Sequence, residues 1–392
     1  MLNFPSVHPS LLAILMESLS EKDQPTIILH DSWATIVEEA IAQRTAPLLL
    51  RWTNRPTTHH RIPIHLLAIL QQHVIQHAAW NLLLSNELRA ILAACERQGM
   101  ACIPLRGPVF AERLYGDDSI RQMDDLDVLV HREDLPSVKD LFRQLGYGHH
   151  EQRPGFLETF SYSLEFIHPQ HGLVVEPHWT LAYPPFTATV AMQPVWARAK
   201  RGHWMEMDTW DLSYEDLLLH LCLHLHHKGQ QAPLLWFHEL ATVIQRHGPS
   251  LDWNLFMDQA QLMEQAGAVA DVLKILIGEF RSTIPDPVVR QLMEQPRAVS
   301  SPSAIRRQIL ARSSLRGREE FALLCSLQSL QQQLLYLSVL LFPSPEYMTR
   351  RYGTSNPISL VGFYIFRFLR IVTEGVRCAV TWIAASVTAR HS

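Results

Sequence analysis

Between residues 8 and 99 the apolar positions recur at helical spacing. Leu11, Leu12, Ile14 and Leu15 form one apolar face, and Ile36, Ala40 and Ile41 another. The run from about 63 to 98 contains no glycine or proline after Pro63, which predicts one long helix or two abutting ones, ended by Gly99. The period then changes. Ala101–Leu105 reads as a short buried strand, Gly107–Tyr115 as a helix, Leu126–Val130 as a strand and Asp134–Leu145 as a helix stopped by Gly146. Thr159–Ile167 alternates, with Phe160, Tyr162, Leu164 and Phe166 on one side and polar residues on the other, which predicts a strand. A turn over His168–Gly172 and a returning strand over Leu173–Trp179 follow. From Ser213 to about 340 the pattern is helical again, broken by glycines and prolines.

These elements predict an α+β fold. A small mixed β-sheet core with helices, over 100–207, is flanked by helical regions over 1–99 and 208–340. A fourth segment, 341–392, begins with the helix-breaking Phe342-Pro343-Ser344-Pro345 and continues through a loop into a run rich in aromatic and aliphatic residues. Arg367, Arg370 and Arg377 punctuate that run. It is expected to form an amphipathic helix packed on the helical region, with peripheral docking of residues 357–390 on a membrane surface or a partner protein as the alternatives.

Composition narrows the function classes. The 392 residues carry a net charge of −4 and no dense Lys/Arg stripe, so binding to nucleic acid is not expected. The five cysteines are scattered without a CxxC pair, which reads as reduced thiols of a cytoplasmic protein. The N-terminus lacks a basic leader and is not expected to be a secretory signal. No uncharged apolar run reaches the roughly 18 residues that suggest a spanning helix.

The candidate chemistry centres on Asp125-Leu126-Asp127, two carboxylates on one face of a predicted strand. Unless a cation lies between them they repel, and oxygen ligands of this kind suit Mg²⁺ bound together with substrate phosphates. Arg106-Gly107-Pro108 precedes them between a strand and a helix, where glycine and a helix N-terminus can receive a phosphate. A plain helix-start glycine is the alternative there. Glu176 lies later inside the apolar Leu173–Trp179 strand, where a carboxylate needs a partner, and His178 shares its face.

In this order the residues are similar to a known family. Arg106-Gly107, Leu114-Tyr115, Arg121, Asp125-Leu126-Asp127 and Glu176-Pro177-His178-Trp179 resemble the motifs of the uncharacterised nucleotidyltransferase family, in the DNA polymerase beta-like nucleotidyltransferase superfamily. The likeness extends through Leu218–His224 and Leu341–Met348, covering roughly 60–370. Arg106 replaces the family's usual lysine, and Pro177 stands at a usually hydrophobic position, which suggests the edge or end of a strand.

The resemblance implies transfer of an NMP group from an NTP co-substrate to a hydroxyl or phosphate acceptor, with pyrophosphate release. It implies two Mg²⁺ ions held by Asp125, Asp127 and Glu176, with Glu176 also positioning or deprotonating the acceptor hydroxyl. Arg106 and Arg121 would neutralise phosphate charge, although Arg121 could instead pair with Asp124. The acceptor, a small molecule or a peptide, is not implied. His178 reads as a hydrogen-bonded support of the site or a packed core histidine rather than a catalytic group.

A second segment, Ser213–His227, places Ser213, Asp216, His220, His224 and His227 on one stripe of a leucine-rich helix. The stripe is expected to be a solvated or structural face, to line the substrate cleft with His220 and His224, or to hold a metal. Asp216 is expected in an N-terminal capping box with Ser213. Two rivals to the transferase reading follow: a non-catalytic nucleotide-sensing or scaffolding protein on the same fold, and a metal-dependent hydrolase built on the histidine stripe.

Overall fold

The computed structural model describes residues 2, 4–19, 33–55, 62–183, 190–294, 309, 317–327 and 329–388. The expected helical stretches at 20–32, 56–61, 295–308 and 310–316 lie outside them, as does the end of the 357–390 segment beyond Thr388. The fold is α+β, a small mixed sheet set among helices.

Five short strands form the sheet: β1 (Cys102–Pro104), β2 (Asp125–Val130), β3 (Gly148–His149), β4 (Phe166–Ile167) and β5 (Val174–His178), in the order β1-β2-β5-β4-β3. β2 and β5 run parallel in a register that sets Asp127 opposite Glu176 and Leu129 opposite His178. β1 and β4 flank this pair antiparallel. Pro177 is next to the last residue of β5, beyond the reach of β4, so its missing N–H removes no regular ladder bond there.

Side-chain alternation along β2 splits the core in two. Leu126, Val128 and Val130 face the second half of the long helix Ile64–Arg97 and the helix Leu135–Gln144. Burying each such side chain contributes about 1.5–3 kcal/mol. Leu129 on the other face joins a larger core that unites the N-terminal helices with Tyr214–Lys228, Leu234–His247 and Ala266–Phe280. Asp125 and Asp127 share the Leu129 face. The carboxylates are therefore trapped between the sheet and the leucine-rich helices.

The predicted strand over Thr159–Ile167 is corrected. Phe156–Phe160 forms a helix, residues 161–165 cross irregularly with a single bridge from Ser163 to His178, and only Phe166–Ile167 is strand. Phe156 and Phe160, one helical turn apart, both pack on Tyr336, the first stacked and the second edge-to-face. That tertiary cluster overrides the alternating pattern. A hairpin of β6 (Lys200–Trp204) and β7 (Met207–Asp211), which the pattern of residues did not reveal, forms a second sheet.

Candidate functional site

The site begins where β1 hands the chain to the helix Gly107–Tyr115. Gly107 turns the backbone into that helix at φ +76°, in the left-handed region, with Pro108 in its first turn. The turn presents Arg106 to β2. Arg106 is buried and pairs through Nη2 with Asp127 Oδ2, while its guanidinium lies 5.4 Å from the Trp236 ring centre. Its Nε has no hydrogen-bond partner among the described residues.

Asp127 Oδ1 meets His178 Nε2 at 3.1 Å, and the same nitrogen lies 3.9 Å from Glu176 Oε2. Ser163 Oγ donates to Glu176 Oε2 at 3.1 Å. One ligand atom each from Asp127, Glu176 and His178 lies within 4.8 Å of the others, the one metal-capable cluster of three among the described residues. Asp125, half-buried at the start of β2, is outside that set. Its carboxyl is nevertheless pushed up, first by burial and then by the charge of Asp127.

The pair of strands therefore holds two carboxylates in opposed electrostatic states. Burial disfavours the charge on Asp127, but Arg106 and the hydrogen bond from His178 outweigh it and hold the carboxyl well below its usual range. Glu176 is pushed up by burial and by the Asp127 charge. The donor set of two carboxylates and an imidazole suits a divalent cation, with the oxygens matching Mg²⁺.

His220 and His224 of the stripe are buried beside this cluster, which rules out a solvated face there. His220 is 1% exposed, and neither ring nitrogen has a partner among the described residues. Burial, with the Arg106 charge, lowers it to about 3, so the ring is neutral. His224 Nδ1 meets the Tyr183 hydroxyl at 2.9 Å, its Nε2 has no partner among the described residues, and burial with Arg106 again favours the neutral ring. His227 stacks on Tyr183 instead, with ring centres 4.1 Å apart. Ser213 Oγ caps the helix by accepting from the Asp216 N–H, and Arg198 grips both Asp216 oxygens.

Arg121 lies elsewhere in the charge pattern. Its partner is Glu239 at 2.7 Å, both buried, while Asp124 pairs with Arg44. The suggested Arg121–Asp124 pair is thus corrected. Glu239 comes from Leu234–His247, 118 residues away. The sequence signal was a lone carboxylate amid Leu234-Leu235-Trp236-Phe237 and Leu240-Ala241, the same signal that singled out Glu176. Trp236, Tyr183 and Ser163 were also missed, since aromatic and hydroxyl residues carry no distinctive spacing.

A family model described as an uncharacterised nucleotidyltransferase matches residues 30–276. The match holds every residue of the cluster, starts earlier than the expected 60 and stops short of Leu341–Met348. No curated protein and no solved structure matches the chain.

Proposed function

The chain belongs to the uncharacterised nucleotidyltransferase family, and we propose that it transfers an NMP group from an NTP to a hydroxyl or phosphate acceptor, releasing pyrophosphate. The acceptor oxygen attacks the α-phosphorus, the α–β phosphoanhydride bond breaks, and the acceptor proton passes to Glu176. The observation that carries this reading is the convergence of Asp127, Glu176 and His178 within 4.8 Å on two adjacent parallel strands.

Asp125, Asp127 and Glu176 would hold two Mg²⁺ ions, which when bound neutralise charge on the phosphates and lower the pKa of the acceptor hydroxyl. Arg106 supplies the fixed positive charge beside them. Its unpartnered Nε gives it a donor to spare for a phosphate oxygen. Gly107 and the helix it opens place backbone N–H groups nearby. His178 holds Asp127 in its ionised orientation. His220 and His224 offer neutral ring nitrogens to the substrate, and Arg121 orders the loop before β2 through Glu239.

The test is Mg²⁺-dependent NTP turnover by an Asp127→Asn variant. Loss of turnover in a folded protein supports the assignment, and full retention overturns it.

A further inference from the structure

The final helix, Pro357–Thr388, leaves a long apolar face uncovered. Ile358, Val361, Ile365, Leu369, Val372 and Val376, continuing to Ile383, are each 43–84% exposed. At 100° per residue they fall within an arc of about 100°, along roughly 37 Å of helix. Phe366 and Phe368, 55% and 38% exposed, widen the face to about 160°. Phe342 extends it sideways, its ring centre 6.2 Å from that of Phe368.

The exposed charge on the helix itself has one sign. Among the exposed residues from Pro357 to Ala384 the single charged one is Arg377. A groove of about 440 Å³ opens beside the face at Val372 and Val376, between this helix and the helices Arg318–Ser326 and Leu330–Leu341. Three guanidiniums reach it, from Arg351, Arg367 and Arg370, against two carboxylates, Glu320 and Glu374. Arg370 Nε is buried there without a partner among the described residues.

We propose that this face docks on an anionic lipid bilayer, the helix lying flat with its apolar side at the acyl boundary and Arg370 and Arg377 at its border among the head groups. A second helix is the weaker fit. Its seam would be narrower and flanked by charges of both signs, whereas Ser359, Phe366, Phe368 and Thr373 border this one. Crossing is not at issue, because among the described residues no helix is long and apolar enough to span a membrane. The proposal is independent of the nucleotidyl-transfer reading.

The experiment is sedimentation of the full chain with vesicles of phosphatidylcholine alone and of phosphatidylcholine and phosphatidylserine in equal parts. The protein is expected to pellet with the anionic vesicles and far less with the neutral ones. Leu369→Glu with Val376→Glu, both at exposed positions, is expected to weaken that partition at least roughly tenfold without moving the melting temperature. Arg377→Gln is expected to weaken it about fivefold. Protein that stays in the supernatant with both compositions, equal partition between them, or unchanged partition of the double variant overturns the proposal. So does a dimer in light scattering that the double variant dissociates, which assigns the face to a second copy of the chain.

Discussion

Two buried ion pairs flank the Gly107–Tyr115 helix, and burial does not tell them apart. The side chains of Arg106 and Asp127 are 7% and 5% exposed, those of Arg121 and Glu239 5% and 1%. Their surroundings differ. Beside Arg121 the donors and the imidazole are paired: Asn81 Nδ2 donates to the Arg121 carbonyl, and the neighbouring His238 meets Ser18 Oγ through Nε2 and the Tyr115 hydroxyl through Nδ1, leaving only the side-chain carbonyl oxygens of Asn81 and Gln122 without a partner among the described residues. Beside Arg106 a guanidinium donor and imidazole nitrogens are left over: Arg106 Nε, both nitrogens of His220 and His224 Nε2 have no partner among the described residues. A nearly closed network holds helices to a sheet, whereas one left with a spare charged donor and imidazole nitrogens has groups to offer a ligand. His220 and His238 make the contrast sharpest. Both are pushed down to about 3 by burial, and only one is hydrogen-bonded.

Substitutions can break this comparison. The largest effects are expected from single removals in each pair. Asp127→Asn should lower Mg²⁺-dependent NTP turnover by roughly a thousandfold, about 4 kcal/mol of barrier. Glu239→Ala should instead cost about 3–5 kcal/mol of stability in urea unfolding, because Arg121 is left buried and unpaired. Its turnover per folded molecule should stay within a few-fold of the parent.

The histidines give smaller effects of opposite sign. His238→Leu strands the Tyr115 hydroxyl, takes one of two partners from Ser18 Oγ and should destabilise by about 1–3 kcal/mol. His220→Leu removes two unpartnered nitrogens and should be neutral or slightly stabilising in the same assay, while weakening NTP binding. A comparable loss of stability in both variants would erase the distinction.

Acidification gives a further handle on His238. Its folded form binds a proton only near pH 3, whereas the unfolded chain binds one near 6.5. Between those values the unfolded state holds more protons, so stability falls as pH falls. From pH 7 to pH 5 this group alone should remove about 2 kcal/mol. The loss measured by urea unfolding over that interval should be shallower by about that amount in His238→Gln.

Much of this could be read from residue order. The boundaries of Gly107–Tyr115 follow from a glycine and a proline at its start and Gly116 after it, and β2 from its apolar β-branched run. Asp127 was legible as one of two carboxylates on a strand face, and Glu176 because a carboxylate in an apolar strand demands a partner. Their convergence was not, since it depends on the parallel register between strands some fifty residues apart. The pairing of Arg121 with Glu239 is longer in range still. The β6–β7 hairpin turns at Met205 with φ +52°, where no Asn-Gly or Asp-Gly pair marks it.

The central claim, that the open cluster around Asp127 is a metal–nucleotide site, is tested most directly by calorimetry. ATP, GTP, CTP and UTP are titrated into the protein and into Asp127→Asn, with and without Mg²⁺. At least one nucleotide should bind the parent only when Mg²⁺ is present and should fail to bind the variant. Binding of equal strength without Mg²⁺, or undiminished in Asp127→Asn, would contradict the claim and favour a nucleotide-sensing protein on the same fold.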